Sequence, residues 1–178
     1  MSDDDKEPDD VFIEGANIFF FCEVTTTTVR DLCQSLVRVS QKHAFIKLHI
    51  RSSGGCMYAG LAAHDFIRNM TRQGIQIETI ALGYCASASV DILLAGSKRC
   101  MGRNAYLLIH QARITISDVT HKMMEQELKH ASQYMKQTRR ILRKYTEIPE
   151  EVLDVLMSID KHLSAKKCLK YGIVHELL

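Results

Sequence analysis

The chain has 178 residues, which is enough for one domain with a hydrophobic core, and its 46% content of hydrophobic residues is ordinary for a globular protein. Its formal net charge of +2 is too small to argue for nucleic acid as a partner. No apolar run approaches the ~20 residues that cross a bilayer, so no membrane partner is expected. The six cysteines form no CxxC pair and no metal-ligand spacing, which predicts reduced thiols, a cytoplasmic location and no metal or other cofactor.

The start of the chain is strongly acidic. Six of the first ten residues are Asp or Glu, and Met1 is not followed by the basic and then apolar segments of a signal peptide. An acidic segment with so few apolar residues cannot bury a core. We therefore predict a disordered tail over residues 1–12, followed by a single domain over residues 13–178.

Strands and helices alternate through the first half of the chain. Residues 18–22 and 46–50 are predicted strands, and a helix capped within 25–28 runs to about Ser40. A second helix is predicted over 58–70, with a strand over 75–82 after it. This repetition favours an α/β fold with parallel strands.

A serine and a histidine follow at the ends of two predicted strands. The first strand stops at Gly83, and Ser87 lies among small residues before a short helix over 90–95. His110 then follows directly after the β-like run 105–109. A serine at a strand-to-helix turn and a histidine at a neighbouring strand end form a plausible nucleophile and base. Ser89 competes with Ser87 for the first role.

The second half of the chain is mainly helical. A helix capped by Ser117 is predicted over 118–145, and at 1.5 Å per residue it would be roughly 40 Å long. One face carries apolar side chains, so projection into another subunit is expected. Pro149 begins a further helix, Ser164 caps the last one, and residues 173–174 form a final short strand. In the first half of the chain, segment 97–103 between Ser87 and His110 is predicted to be a hairpin.

Four motifs resemble those of the ClpP-type serine peptidases, and they occur in that family's order. They are RSSGG at 51–55 with a helix after it, GYCASA at 83–88, LIHQ at 108–111, and DKHLSA at 160–165 followed by YGIV. The resemblance implies the ClpP/crotonase-like spiral of β-β-α units, with a long protruding handle helix at about 118–145. Compact chains of this kind are similar to members encoded by phages.

The resemblance also implies a set of site residues. Ser87 would be the nucleophile, His110 the base and Asp160 the acid that orients the histidine. The remaining implied roles belong to backbone groups, namely an oxyanion hole at Gly54, Gly55 and Ala88 and a contact with the substrate strand at Cys56 and Ala112. No metal ligand is implied.

The implied function is a serine endopeptidase that cleaves unfolded polypeptides inside a homo-oligomeric ring, heptameric and stacked as a tetradecamer. An AAA+ unfoldase is an implied partner, although the acidic tail stands where the family has a longer N-terminal segment. This chain departs from the family at Ser53, Ala112 and Ile159, where proline, proline and arginine are usual. Two alternatives stay open: a non-catalytic ring subunit or scaffold, and a crotonase-type acyl-CoA enzyme.

Overall fold

The structure is a computed structural model, and it describes residues 10–113 and 120–178. Strands and helices alternate around one eight-stranded sheet. In chain order the elements are β1 (Val11–Glu14), β2 (Asn17–Phe20), α1 (Thr26–Ser40), β3 (Phe45–Ser52), α2 (Met57–Arg72), β4 (Gln76–Ala86), α3 (Ala88–Leu94), β5 (Lys98–Met101), β6 (Tyr106–Ile109), α4 (His121–Tyr145), α5 (Glu150–Leu156), β7 (Lys161–Ser164), α6 (Ala165–Lys170) and β8 (Glu176–Leu177).

The sheet has a main path and a branch. The path runs β1-β2-β3-β4-β5-β8, and its pairs from β2 to β8 are parallel. Helices α1 and α2 connect successive parallel strands, as a crossover connection requires. The branch consists of β6, which pairs in parallel with β4, and β7, which is antiparallel to β6. The predicted α/β class with parallel strands is confirmed.

Strand β4 is longer than predicted, and this places the serine turn. Gly83 adopts a φ of 61°, which bends the strand without ending it. Before the bend, Glu78–Ala81 pairs with β5; after the bend, Tyr84–Ala86 pairs with β6. The prediction that the strand stops at Gly83 is therefore wrong, because the glycine changes the neighbour of the strand instead.

Several other predicted boundaries are corrected. The 97–103 segment is not a hairpin, since β5 pairs in parallel with β4 and β8. The last strand lies at Glu176–Leu177, while the buried residues Ile173 and Val174 sit in the turn before it. Strand β1 begins at Val11, so Val11 and Phe12 belong to the sheet rather than to the predicted tail. Strand β7 was not predicted.

Helix α4 is the predicted long helix, and it runs for 25 residues, or about 37 Å. Its N-cap is Thr120, whose side chain accepts from the Met123 N–H at 3.3 Å. The predicted cap Ser117 and the predicted first residue Asp118 lie outside the described residues. The side chains buried by this helix all lie in its C-terminal part, at Ala131, Tyr134, Thr138 and Leu142. Large apolar side chains in the N-terminal half are exposed, at Met123, Met124 and Leu128.

The core lies between the sheet and the helices α1, α2 and α3. Its fully buried members include Ile18, Leu32, Leu48, Ile67 and Leu93. Helix α1 begins as predicted, with a reciprocal capping box between Thr25 and Thr28. Among the residues that the structure describes, no helix is both long enough and apolar enough to span a bilayer.

Candidate active site

Ser87 occupies the turn between β4 and α3 in a strained backbone conformation. With φ 55° and ψ −130°, it has the only positive φ among the non-glycine residues of the described ranges. A strained non-glycine residue is typical of functional sites, where the surrounding structure holds it in place. The Ser87 N–H donates to the carbonyl of Leu108 at 2.9 Å. The turn is therefore fixed to β6 through its backbone, and the partly exposed side chain is left at the surface of the fold.

Ser89, the competing serine, holds the turn together from inside. Its fully buried hydroxyl accepts from the Ala86 N–H at 2.9 Å and lies 2.7 Å from the Ala86 carbonyl and 3.2 Å from the Ser52 carbonyl, to which it can donate. Cys85 is also buried, and burial raises the pKa of its thiol to about 12, so it stays protonated. Ser87 is thus the nucleophile candidate that the turn leaves accessible.

His110 follows the end of β6, as the sequence predicts. It lines a cleft of about 270 Å³ together with Ser87 and the turn Ser53–Gly55, and we call this space the Ser87 cleft. The Nδ1 atom of His110 is buried and has no hydrogen-bond partner among the described residues. Buried ring nitrogens are normally paired, so this atom lacks the acceptor that a catalytic histidine needs.

Asp160 comes just beyond the end of the β6–β7 ladder that His110 also borders, but its carboxylate is bound elsewhere. The last pair of this antiparallel ladder is Ile109 with Lys161, so His110 and Asp160 are the residues that flank it. The Asp160 carboxylate instead accepts from the guanidinium of Arg113, and 47% of its side chain is exposed. The structure therefore brings Ser87 and His110 to one cleft and leaves the Asp160 carboxylate outside it.

The glycine turn before α2 closes over Ser87. Gly54 has a φ of 93°, and a Cβ atom added there would lie 2.5 Å from the Ser87 Cβ and 2.6 Å from the Ala86 carbonyl oxygen. Only glycine permits this approach. The Gly54 N–H donates to the Ser52 hydroxyl at 3.1 Å and is already used.

The neighbouring backbone donors are free. The N–H groups of Gly55 and Ala88 meet no acceptor within residues 10–113 and 120–178. The chain on either side of Gly55 is fixed to Val24, since Val24 N–H donates to Gly54 and Cys56 N–H donates to Val24. Of the three predicted oxyanion positions, Gly55 and Ala88 therefore keep an available N–H.

The two predicted substrate contacts differ in placement. Ala112 lines the Ser87 cleft, and its N–H donates to the Met135 sulfur at 3.2 Å. Cys56 is exposed at the N-cap of α2 and is not among the lining residues of the cleft. The rest of the predicted peptide-pairing segment, residues 114–116, lies outside the described residues.

Sequence reasoning missed the contribution of α4 to the cleft. Tyr134 and Thr138 line it, and the Tyr134 hydroxyl donates to Asp91 at 3.0 Å. Asp91 is fully buried in α3, and burial raises the pKa of its carboxyl to about 7. Two signals in the sequence could have indicated this contact. One is the acid Asp91 inside the apolar run 90–95, and the other is the pair of polar side chains four residues apart on α4, Tyr134 and Thr138. In the described ranges no group of three His, Cys, Asp or Glu side chains could hold a metal ion.

The parallel sheet with its β6–β7 branch and long helix defines a fold of the ClpP/crotonase type. A family model described as Clp protease matches residues 6–178. The chain belongs to the Clp protease family, and the resemblance predicted from the four motifs is confirmed.

Relatives with that name cover most of this chain. It is 34% identical over 156 residues to the ATP-dependent Clp protease proteolytic subunit of Oenothera elata subsp. hookeri, covering 84% of this chain and 56% of the relative. It is 30% identical over 135 residues to the subunit of the same name from Deinococcus radiodurans, covering 75% of this chain and 64% of the relative. The chain thus spans less than two thirds of either relative's length.

A solved structure shows the same fold. A point mutant of ClpP1 from Listeria monocytogenes superposes with a TM-score of 0.78 at 24% sequence identity. The match covers 92% of this chain and 91% of the other. The predicted ClpP/crotonase-like architecture is therefore confirmed.

Proposed function

We propose that this chain is a serine endopeptidase subunit in which Ser87 is the nucleophile, His110 the base and Asp160 the orienting acid. One observation carries the proposal: the strained turn presents the Ser87 side chain to the same cleft as His110, while Ser89 and Cys85 are buried. Membership of the Clp protease family supports the same chemistry.

The proposed reaction proceeds through an acyl-enzyme. The Ser87 oxygen attacks the carbonyl carbon of the scissile peptide bond as its proton passes to Nε2 of His110. The oxyanion accepts hydrogen bonds from the Gly55 and Ala88 N–H groups. His110 then gives its proton to the leaving amine. A water attacks the acyl-enzyme, its proton passes to His110, and that proton returns to Ser87 as the acid product leaves.

The proposed assembly is a ring of identical subunits, heptameric and stacked in pairs, located in the cytoplasm. The exposed apolar side chains on the N-terminal half of α4 support burial of that half against another subunit. The relatives are named as subunits of ATP-dependent proteases. We propose an AAA+ unfoldase as the corresponding partner and unfolded polypeptide as the substrate.

Labelling with a fluorophosphonate tests the proposal, with particle size measured by light scattering. Wild-type protein should be labelled as a large particle, and Ser87→Ala should abolish labelling at unchanged size. Ser53→Ala is the matched control, because this exposed serine lines the same cleft and should leave labelling intact. Labelling that survives in Ser87→Ala would refute the assignment.

A second candidate is a ring subunit without peptidase activity. It is favoured by one observation, namely that Arg113 holds Asp160 while Nδ1 of His110 has no partner in the described part of the chain. A large unlabelled particle in the same experiment would select this candidate. The family assignment does not favour the third possibility, a crotonase-type acyl-CoA enzyme.

A further inference from the structure

A second cavity lies between α2 and the C-terminal half of α4, apart from the Ser87 cleft. Its volume is about 520 Å³, within the range of small-molecule sites. None of its lining residues lines the Ser87 cleft. Four of them are cations, two from each helix, and we call this space the cation cavity: Arg68, Arg72, Arg140 and Lys144.

These cations are not neutralised within the described part of the chain. None of the four takes part in a salt bridge there, and the cavity contains one carboxylate, that of Asp65. Burial lowers the pKa of His64, so this lining histidine is neutral at pH 7. Four cations and one carboxylate give the lining a net charge of +3.

The cations form two like-charge pairs, although Arg68 and Lys144 also lie over the Tyr145 ring at 5.1 and 5.2 Å. Arg68 and Arg72 are four residues apart on α2, and Arg140 and Lys144 are four apart on α4. Like charges at this spacing destabilise a helix. Both helices thus carry a repulsive pair on the surface that faces the cavity.

A neighbouring side of α4, about 100° further around the helix, carries a similar pair. Arg139 and Arg143 are also four residues apart, and both form ion pairs with Glu150, while Arg139 additionally reaches Asp154. On that side of α4 both arginines are matched by acids from α5. The unmatched pairs of the cation cavity therefore indicate a counter-charge from outside the chain.

Arg68 lines the cavity and has one donor without a partner among the described residues. Its Nε is buried and has no partner among the described residues, although one terminal nitrogen donates to the Ala95 carbonyl at 3.3 Å. The positive charge of Arg68 also contributes, after burial, to lowering the pKa of the nearby Arg99. An anion beside the Arg68 guanidinium would relieve this repulsion.

We propose that the cation cavity binds a short chain of phosphates, as found in inorganic polyphosphate or in a nucleoside triphosphate. Three of the four cations are arginines, whose planar guanidinium matches phosphate oxygens in bidentate fashion. Several linked phosphates supply the three or more negative charges that the lining lacks, and the cavity is larger than one phosphate requires. This proposal does not depend on the proposed peptidase activity.

Isothermal titration calorimetry of the full chain tests the proposal, with tripolyphosphate as the probe and sodium sulfate at equal ionic strength as the reference. We expect saturable binding of one tripolyphosphate per subunit and no comparable binding of sulfate. The double variant Arg140→Gln/Lys144→Gln should weaken binding about tenfold or more, since it removes two charged donors. Both side chains are exposed, so the fold should survive.

A matched control separates the cavity from general surface charge. Lys166→Gln/Lys170→Gln removes the same charge at the same spacing from the exposed face of α6, and it should leave the affinity unchanged. A titration with ATP shows which phosphate compound the cavity accepts. Binding of both ATP and tripolyphosphate supports a site for nucleoside triphosphates. Binding of tripolyphosphate alone supports a site for inorganic polyphosphate.

Two results would overturn the proposal. The first is tripolyphosphate binding no stronger than sulfate, and the second is equal binding by wild type and the Arg140→Gln/Lys144→Gln variant. If the first result is accompanied by loss of particle size in that variant, the cations pair with acidic groups of a neighbouring subunit instead.

Discussion

His110 follows β6 and Asp160 precedes β7, and Arg113 binds the Asp160 carboxylate. Arg113 comes three residues after His110 and also lines the Ser87 cleft. The same arginine therefore binds the acid and lines the cleft that contains the nucleophile. Under the proposed function, the Arg113–Asp160 pair competes directly with the His110–Asp160 contact.

Replacement of Arg113 by glutamine is expected to raise the rate of fluorophosphonate labelling. The pair is largely exposed, and such ion pairs are worth about 0.2–1 kcal/mol, which predicts a gain of up to about fivefold. Asp160→Asn should lower the rate by orders of magnitude, because the orienting acid is lost. Arg103→Gln, at an exposed turn, removes the same charge and should have no effect. A slower Arg113→Gln variant would contradict the competition.

Asp91 is the residue through which stability should depend on pH. Burial raises the pKa of its carboxyl to about 7, whereas the unfolded chain has the ordinary value near 3.8. The folded state therefore holds a proton that the unfolded state releases. This contribution to stability is complete below the unfolded pKa and is lost as pH rises through the folded pKa of about 7. The Oδ1 atom of Asp91 is also buried without a partner among the described residues.

Melting temperatures at pH 5.5 and pH 8 test this dependence. The wild type should lose about 2 kcal/mol between the two, or about 4–8 °C for a domain of this size. Asp91→Asn cannot ionise, so its melting temperature should change much less. The exposed Asp31 provides a control, since Asp31→Asn should keep the wild-type slope. An unchanged slope in Asp91→Asn would show that another group is responsible.

At the scale of elements, two glycines share a backbone conformation but differ in their surroundings. Substitutions at the two positions therefore distinguish the effect of a steric clash from the effect of backbone strain. Gly54 and Gly74 have nearly the same φ, 93° and 95°. A Cβ at Gly54 would collide with Ser87 and Ala86, whereas nothing lies within 4 Å of one at Gly74. A side chain at either position would be strained by the positive φ. At Gly54 it would in addition clash with the serine turn.

We expect Gly54→Ala to abolish fluorophosphonate labelling and to lower the melting temperature strongly. Gly74→Ala should cost about 1–2 kcal/mol, as a left-handed backbone does for a residue with a Cβ, and should keep its labelling. Both are measured by labelling and thermal unfolding of the same preparations. Equal loss of labelling in the two variants would show that the turn does not need the close approach at Gly54.

The exposed half of α4 is the element expected to hold subunits together. Met124→Glu places a charge among the exposed apolar side chains and should shift the particle to smaller species without changing the circular dichroism. Gln126→Glu adds the same charge about half a turn away around the helix and serves as the control. If Met124→Glu leaves the mass measured by light scattering unchanged, this half of α4 does not form the contact.

The elements set by local signals could be predicted, and those set by distant pairing could not. Thr25 and Thr28 cap α1 as their sequence pattern indicates, because the capping box involves neighbouring residues. Strand β7 follows only from its pairing with β6, more than 50 residues earlier, and its four residues carry no strong strand pattern of their own. The continuation of β4 through Gly83 likewise depends on the second neighbour, β6.

At the scale of the whole molecule, the order of four motifs was sufficient for the family and the fold. Ser87 and His110 could be placed because each follows a strand whose apolar pattern is visible in the sequence. The Arg113–Asp160 pair and the cation cavity could not be predicted, since they join segments far apart in the chain. Periodicity shows which face of a helix is polar, but it does not show which distant element that face meets.

The bend of β4 divides the molecule into parts that need not unfold together. In the described part of the chain, the branch pairs with the main sheet along Tyr84–Ala86 and through the Ser87–Leu108 hydrogen bond, whereas β3 and β4 pair along most of their length. His110 follows β6 and Asp160 precedes β7, so an opening of this branch removes both from Ser87 in one event. Amide hydrogen exchange would then be faster in the branch than in β3. Mild denaturant would abolish fluorophosphonate labelling of Ser87 while the main sheet stays folded.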